Sequence, residues 1–241
     1  MNPFRSLFAG PAAAGITGFF SPIVAGLSFY DELAADPVLF AWATSILKVA
    51  GVKTVARGLE KLPPGNFVLA VNHQSHFDAL VLFRHIRRHM RFVAKRELTK
   101  IPIFGQAMRK AGNIVVDRRG TDADKKLLRE AIEAVQTRVS ICFFAEGTRS
   151  DDGVLRPFKK GAAVFAIDAQ VPLVPAALAG THEILPKGTL QVRARPAALV
   201  IGDPIDTTGM THDDRDRLTS MAHAAVAKQL QEAQALLPLA E

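Results

Sequence analysis

One cysteine, Cys142, one tryptophan and one tyrosine are all that the 241 residues hold of those three types. A lone cysteine excludes a disulfide scaffold and a cysteine-rich zinc module, and it fits a reducing compartment. Glycine (17) and proline (14) are too few for a collagen or a low-complexity linker. Charged residues stop at 22% while hydrophobic residues reach 49%, which excludes a disordered polar chain. Acidic residues are also short: 23 Asp and Glu against 30 Lys and Arg leave +7, with a pI near 9.8. That imbalance favours phosphates, acidic lipid surfaces or nucleic acid without choosing among them. The length fits one or two domains, and an α/β domain of this size is commonly single.

Charge is missing altogether from residues 6–30. Such a stretch can cross a hydrocarbon core of ~30 Å at ~1.5 Å per residue. Gly10, Gly15, Gly18 and Gly26 lower its helix propensity, and Pro11 and Pro22 are expected to interrupt its hydrogen bonding. A second apolar run, 38–47, contains Trp42. We read residues 1–50 as a membrane-anchoring helical segment, and their glycine and proline content favours a shallow arrangement. A helical pair packed on the following domain is the alternative. A cleaved signal peptide fits less well, because Arg5 makes a thin basic region and no clean cleavage site follows.

From residue 51 the pattern becomes α/β. Short apolar runs at 67–72, 91–94, 113–117 and 140–144 predict strands, and 171–179 and 191–201 supply two more. Helical patterns lie at 121–138, 160–169 and 213–236. The alternation predicts a single α/β domain over 51–241, with a mainly parallel central sheet flanked by helices.

The segment Asn72-His73-Gln74-Ser75-His76-Phe77-Asp78 falls where an apolar strand ends and a helix begins. Ligands of open α/β sheets bind at such carboxyl ends. On one continuous helix His73 and Asp78 would point about 140° apart. With His73 on the turn and Asp78 in the first helical turn, they can meet. Asp78 would then accept a hydrogen bond from Nδ1–H, fix the tautomer and leave Nε2 as a base for a hydroxyl. A metal site of the form H-x-x-H-x-D and a purely structural histidine are the competing readings. Because His182, His212 and His223 are isolated in the sequence, we assign no metal. His76 reads as facing solvent or capping the helix.

A second strand-end segment runs Phe143-Phe144-Ala145-Glu146-Gly147-Thr148-Arg149-Ser150. Gly147 lets the backbone approach a ligand, Thr148 offers a hydroxyl and Arg149 a planar fork for phosphate oxygens. Glu146 cannot hold an anion directly, so an orienting role toward Arg149 or a hydroxyl is expected. Lys95, Arg118, Arg119 and the pair Lys159-Lys160 stand at further strand ends or before a helix start. Singly they read as solvated charges; together they suggest a phosphate pocket. Backbone N–H groups after His73 are candidates for holding an oxyanion. Cys142, inside an apolar run, reads as core.

The ordered blocks His73-x4-Asp78, Gly112-Asn113-Ile114-Val115-Val116-Asp117-Arg118, Phe144-Ala145-Glu146-Gly147-Thr148-Arg149 and Val171-Pro172-Leu173-Val174-Pro175 resemble the four-block pattern of the glycerophospholipid acyltransferases. The 1-acylglycerol-3-phosphate acyltransferases are the class most similar. The resemblance covers roughly 51–205. It implies an α/β domain with an N-terminal membrane-binding element, facing the cytoplasm. It also implies acyl transfer to a lysophospholipid, giving phosphatidic acid. The co-substrate would be a coenzyme A or acyl-carrier-protein thioester, with no cofactor and no nucleic-acid partner. By position, His73 becomes the general base, Asp78 its orienter, and Lys95, Arg118 and Arg149 the holders of the acceptor's phosphate, beside Glu146, Gly147 and Thr148. Ala145 stands where many members have proline, which leaves other lyso-lipid acceptors open. A thioester hydrolase and a non-catalytic lipid or nucleic-acid binder are readings from other classes.

Overall fold

The computed structural model describes residues 3–116 and 122–240. Two helices come first, α1 (Pro3–Tyr30) and α2 (Asp36–Ala50). The α/β body follows with strands β1 (Thr54–Arg57), β2 (Val68–Val71), β3 (Met90–Lys95), β4 (Ile114–Val116), β5 (Ser140–Phe144), β6 (Leu173–Ala179) and β7 (Ala197–Ile201). Its helices are α3 (Phe77–His85), α4 (Phe104–Lys110), α5 (Asp122–Thr137), α6 (Gly161–Ala169), the single turn α7 (Thr181–Ile184) and α8 (Arg215–Leu236).

The sheet order is β1-β7-β6-β2-β5-β3-β4, parallel throughout except for the antiparallel pair β6–β7. The expected mainly parallel sheet covered on both faces is therefore present. Period-two alternation sorts its side chains. Leu69 and Val71 of β2 join α2 and α3 in one core, whereas Val68 and Ala70 join α5 and α6 in the other. Every β2 residue is fully buried, as a central parallel strand requires.

The connections that leave β2 and β5 run in opposite directions, each past the other strand. From β2 the chain passes through α3 on one face to β3; from β5 it passes through α6 on the opposite face to β6. The carboxyl ends of β2 and β5 are therefore neighbours, on the edge where ligands of such sheets usually bind.

Pro11 and Pro22 were expected to interrupt the first segment, yet α1 is continuous through both. It does not stand alone: Trp42 Nε1 of α2 donates to Thr17 Oγ1 at 3.1 Å, and Val24 packs with Ala107 and Ala111 of the α4 region. This tertiary support outweighs the local cost of proline. The α2 residues Ala43, Ile46, Leu47 and Ala50 are buried in the same core as β2 and α3. The outer face of α1 stays bare. Positions 11, 14, 15, 18, 19, 22, 23, 26, 29 and 30 are exposed, singly or in pairs that recur every three to four residues, and none is charged. By length and composition, residues Ala9–Tyr30 could cross a membrane.

A buried ion cluster ties the helical pair to the body. Arg91 of β3 donates through Nη1 to Asp36 Oδ1 at 2.8 Å and through Nη2 to the Glu32 carbonyl at 2.8 Å. Both ionised side chains are almost fully buried, with relative exposures of 2% and 1%. His89 Nδ1 meets the other Asp36 oxygen.

Candidate active site

β2 ends because Asn72 replaces a strand partner with its own side chain. Its Nδ2 donates to the Leu178 carbonyl at 2.9 Å, and its Oδ1 accepts from Leu178 N at 2.7 Å. The next residues turn into α3, which opens with Phe77 and Asp78. That turn brings the two sequence-predicted residues together: His73 Nδ1 lies 2.7 Å from Asp78 Oδ2. Asp78 is fully buried, and the His73 side chain is 18% exposed. An ionised carboxylate only accepts, so Nδ1 of a neutral imidazole carries the proton and Nε2 is its basic nitrogen.

The His73 ring is fixed from one face. Phe144, at the end of β5, stacks on it with centroids 4.0 Å apart and planes 19° apart. Phe144 in turn stacks on Phe92 of β3 at 5.9 Å. Backbone bonds hold the His73 main chain against the loop after β5. Its N–H donates to Glu146 Oε1 at 2.7 Å, and its carbonyl accepts from Ser150 N at 2.8 Å.

Glu146 differs from expectation. Its carboxylate does not reach for Arg149; its second oxygen accepts from Arg156 N at 3.1 Å. It is a buried clamp between the His73 turn and the 150–156 loop, with a relative exposure of 3%. Burial pushes its carboxyl up to about 7, and the two backbone donors offset only part of that shift. The backbone N–H groups expected to serve an oxyanion are also partly committed. Gln74 N and Ser75 N both donate to Asp78 Oδ2, at 2.7 and 3.0 Å. They stabilise the carboxylate by hydrogen bonding, so an oxyanion needs other donors.

The basic residues separate into two groups. Arg149, half-buried, follows Gly147, whose φ of 75° suits a residue without Cβ, and the exposed Thr148. Desolvation, and then the Arg149 guanidinium, hold the His76 imidazole down to about 4, and the Ser150 N bond to the His73 carbonyl ties the residue after Arg149 to the same turn. Lys95 ends β3 on the same edge of the sheet and is exposed. Lys160 instead pairs with Asp216 of α8 at 2.7 Å. Arg118, Arg119 and Thr121 lie outside the described residues.

Sequence reasoning missed two members of this site, Phe144 as a ring platform and Thr181. Thr181 follows β6 and donates its hydroxyl to Asp78 Oδ1. A polar residue after a glycine at a third strand end was the available signal.

A family model described as Acyltransferase matches residues 53–179. The chain is 36% identical over 160 residues to a 1-acyl-sn-glycerol-3-phosphate acyltransferase of Limnanthes alba, covering 66% of this chain and 57% of that one. It is 34% identical over 173 residues to the human 1-acyl-sn-glycerol-3-phosphate acyltransferase alpha, covering 68% and 59%. It thus spans less than two thirds of the length of these curated relatives. The crystal structure of the 1-acyl-sn-glycerophosphate acyltransferase PlsC from Thermotoga maritima superposes with a TM-score of 0.81. That match has 27% identity and covers 98% of each chain.

Proposed function

We propose, from the premise that the chain belongs to the acyltransferase family, that it moves a fatty acyl group from a thioester to the free hydroxyl of 1-acylglycerol-3-phosphate, giving phosphatidic acid. One observation carries the reading: the 2.7 Å contact of His73 with buried Asp78, on a turn bonded directly to the Arg149 loop.

The chemistry follows from the arrangement. Asp78 holds the imidazole in the tautomer whose Nε2 accepts a proton. Nε2 removes the acceptor hydroxyl's proton as the oxygen attacks the thioester carbonyl. The tetrahedral adduct collapses, the C–S bond breaks, and the imidazolium returns the proton to the departing thiolate. The thioester is already activated, so no covalent enzyme intermediate is required. Arg149 and Lys95 hold the acceptor's phosphate, with Arg118 assigned the same task by its place in the family pattern. Gly147 and Thr148 shape that loop, and Glu146 holds it against the His73 backbone. The donor is coenzyme A or an acyl carrier protein.

Residues 1–50 act as the membrane-binding segment and 51–241 as the acyltransferase domain. The bare apolar face of α1 supports this, since Phe19, Phe29 and Tyr30 are 67, 76 and 89% exposed. The packing of α1 on α2 and the α4 region supports a place within one leaflet, and the family resemblance implies an active site that faces the cytoplasm.

The test is product identification by mass spectrometry after offering purified protein one acyl-coenzyme A and a panel of lyso-lipids. Phosphatidic acid from lysophosphatidate as the dominant product is expected. Preferred acylation of another lyso-lipid would move the acceptor assignment, which Ala145 in place of the family's usual proline leaves open. Release of free fatty acid at a rate indifferent to acceptor would replace transfer by hydrolysis.

A further inference from the structure

The Asp78 carboxylate is served unequally. Oδ2 accepts from His73 Nδ1, Gln74 N and Ser75 N. Oδ1 accepts from one group among the described residues, the Thr181 hydroxyl. Both Asp78 and Thr181 are fully buried, so no bulk water replaces that donor. Asp78 and Thr181 lie 103 residues apart in sequence, and the contact joins the start of α3 to the turn that follows β6.

The turn is built to place the hydroxyl. Gly180 has φ of 84°, and a Cβ there would collide with the Pro196 carbonyl oxygen. Only glycine fits, and the chain is thereby pinned where Thr181 enters α7. A second acceptor, Gln74 Oε1, lies 3.4 Å from the same hydroxyl and 3.3 Å from His182 Nδ1. Gln74 Nε2 is anchored to the Gly153 carbonyl at 3.2 Å. A hydroxyl has one proton to give, and the shorter bond, to the ionised oxygen, takes it.

We propose that Thr181 is a positioning residue for the acyl-transfer reaction, acting through Asp78. A carboxylate held at both oxygens has a fixed plane. Released at Oδ1, it can rotate about its χ2 bond, which turns Oδ2 away from Nδ1 and frees the imidazole to tilt. Thr181 touches neither substrate in this assignment, so its loss acts on turnover rather than on binding. The inference rests on the reading of His73 as general base.

The experiment compares Thr181→Val, which keeps shape and loses the hydroxyl, with Thr181→Ser, which keeps the hydroxyl. Steady-state transfer is measured in lipid–detergent micelles with lysophosphatidate and acyl-coenzyme A. Loss of a hydrogen bond to a buried charge corresponds to roughly a tenfold to 100-fold change. The expected result is a kcat fall of that size for Thr181→Val, with both KM values within about twofold on the same basis, and recovery of most of the rate in Thr181→Ser. In an Asp78→Asn background the Thr181→Val penalty should shrink below about threefold, since the coupled group is gone. Folded Thr181→Val with wild-type kcat, an equal loss in Thr181→Ser, or an undiminished penalty beside Asp78→Asn would each overturn the assignment. If Thr181→Val does not fold, Thr181→Ala takes its place; failure of both to fold while Thr181→Ser folds also overturns it, in favour of a structural role. His73→Ala separates the two levels. Full activity there removes the general base itself, whereas an inactive His73→Ala beside a fully active Thr181→Val removes only Thr181.

Discussion

Replacing Glu146 by glutamine should flatten the pH dependence of stability between about pH 5 and pH 8. Burial raises this carboxyl from its usual 4.5 to about 7 in the folded protein. A raised carboxyl pKa means that the folded state holds the proton more tightly than the unfolded chain. The contribution is therefore complete below pH 4.5 and is lost as pH rises through about 7. At ~1.36 kcal/mol per pK unit, the change amounts to about 3 kcal/mol at full expression. For a chain of this size that corresponds to roughly 6–12 °C in melting temperature. Glutamine cannot ionise, so it removes this term. Its carbonyl can still accept from one of the two backbone N–H groups, His73 or Arg156, while the other faces an amide NH2 and costs about 1–3 kcal/mol at every pH. The variant should thus melt below wild type at pH 5 and approach it at pH 8. Far-UV circular dichroism melts in one detergent at the two pH values measure both slopes. Equal slopes within about 2 °C, or a steeper one in Glu146→Gln, would refute the reasoning, because the size of the term follows from burial.

Three further outcomes follow from the same structure. Arg149→Ala should raise KM for lysophosphatidate at least about tenfold while leaving KM for the acyl thioester within about twofold, since removing a charged hydrogen-bonding group costs about 1.5–3 kcal/mol; steady-state kinetics with each substrate varied in turn would show the reverse split if Arg149 serves the donor. Paired Phe19→Ser and Phe29→Ser changes should lower recovery in liposome flotation, because each exposes a polar group where an apolar ring meets lipid; unchanged flotation would place the membrane contact elsewhere. Arg91→Ala should cost about 3–5 kcal/mol by stranding the buried Asp36 carboxylate, and Asp36→Leu added to it should restore part of that loss; a melting temperature unchanged by Arg91→Ala would contradict the cluster that ties α1 and α2 to β3.

Much of this architecture could be read from local pattern, for identifiable reasons. The runs behind β2 and β5 are apolar without alternation because both faces of a central parallel strand are covered. β1 gave no such signal: Thr54–Arg57 is four residues long, partly exposed and at the sheet edge. β7 was expected from residue 191 but begins at Ala197, since Arg193, Arg195 and Pro196 precede it and proline cannot donate to a ladder. The His73–Asp78 contact was legible because both partners sit on one short turn. The Glu146 bond to His73 N spans 73 residues and the Thr181 bond to Asp78 spans 103. Such contacts depend on which strands become neighbours, and β2 lies between β5 and β6 only once the crossovers through α3 and α6 have formed. The continuity of α1 through Pro11 and Pro22 was hidden for a related reason: the support comes from α2 and the α4 region, not from α1.

The most direct measurement is the single-turnover rate of acyl transfer from acyl-coenzyme A to lysophosphatidate in His73→Ala and Asp78→Asn, with protein in excess and folding checked by circular dichroism. A general base contributes on the order of 10²–10⁴-fold, so His73→Ala should fall by at least 100-fold, and Asp78→Asn should fall substantially because the imidazole loses its fixed tautomer. Transfer at near wild-type rate by either folded variant would contradict the account.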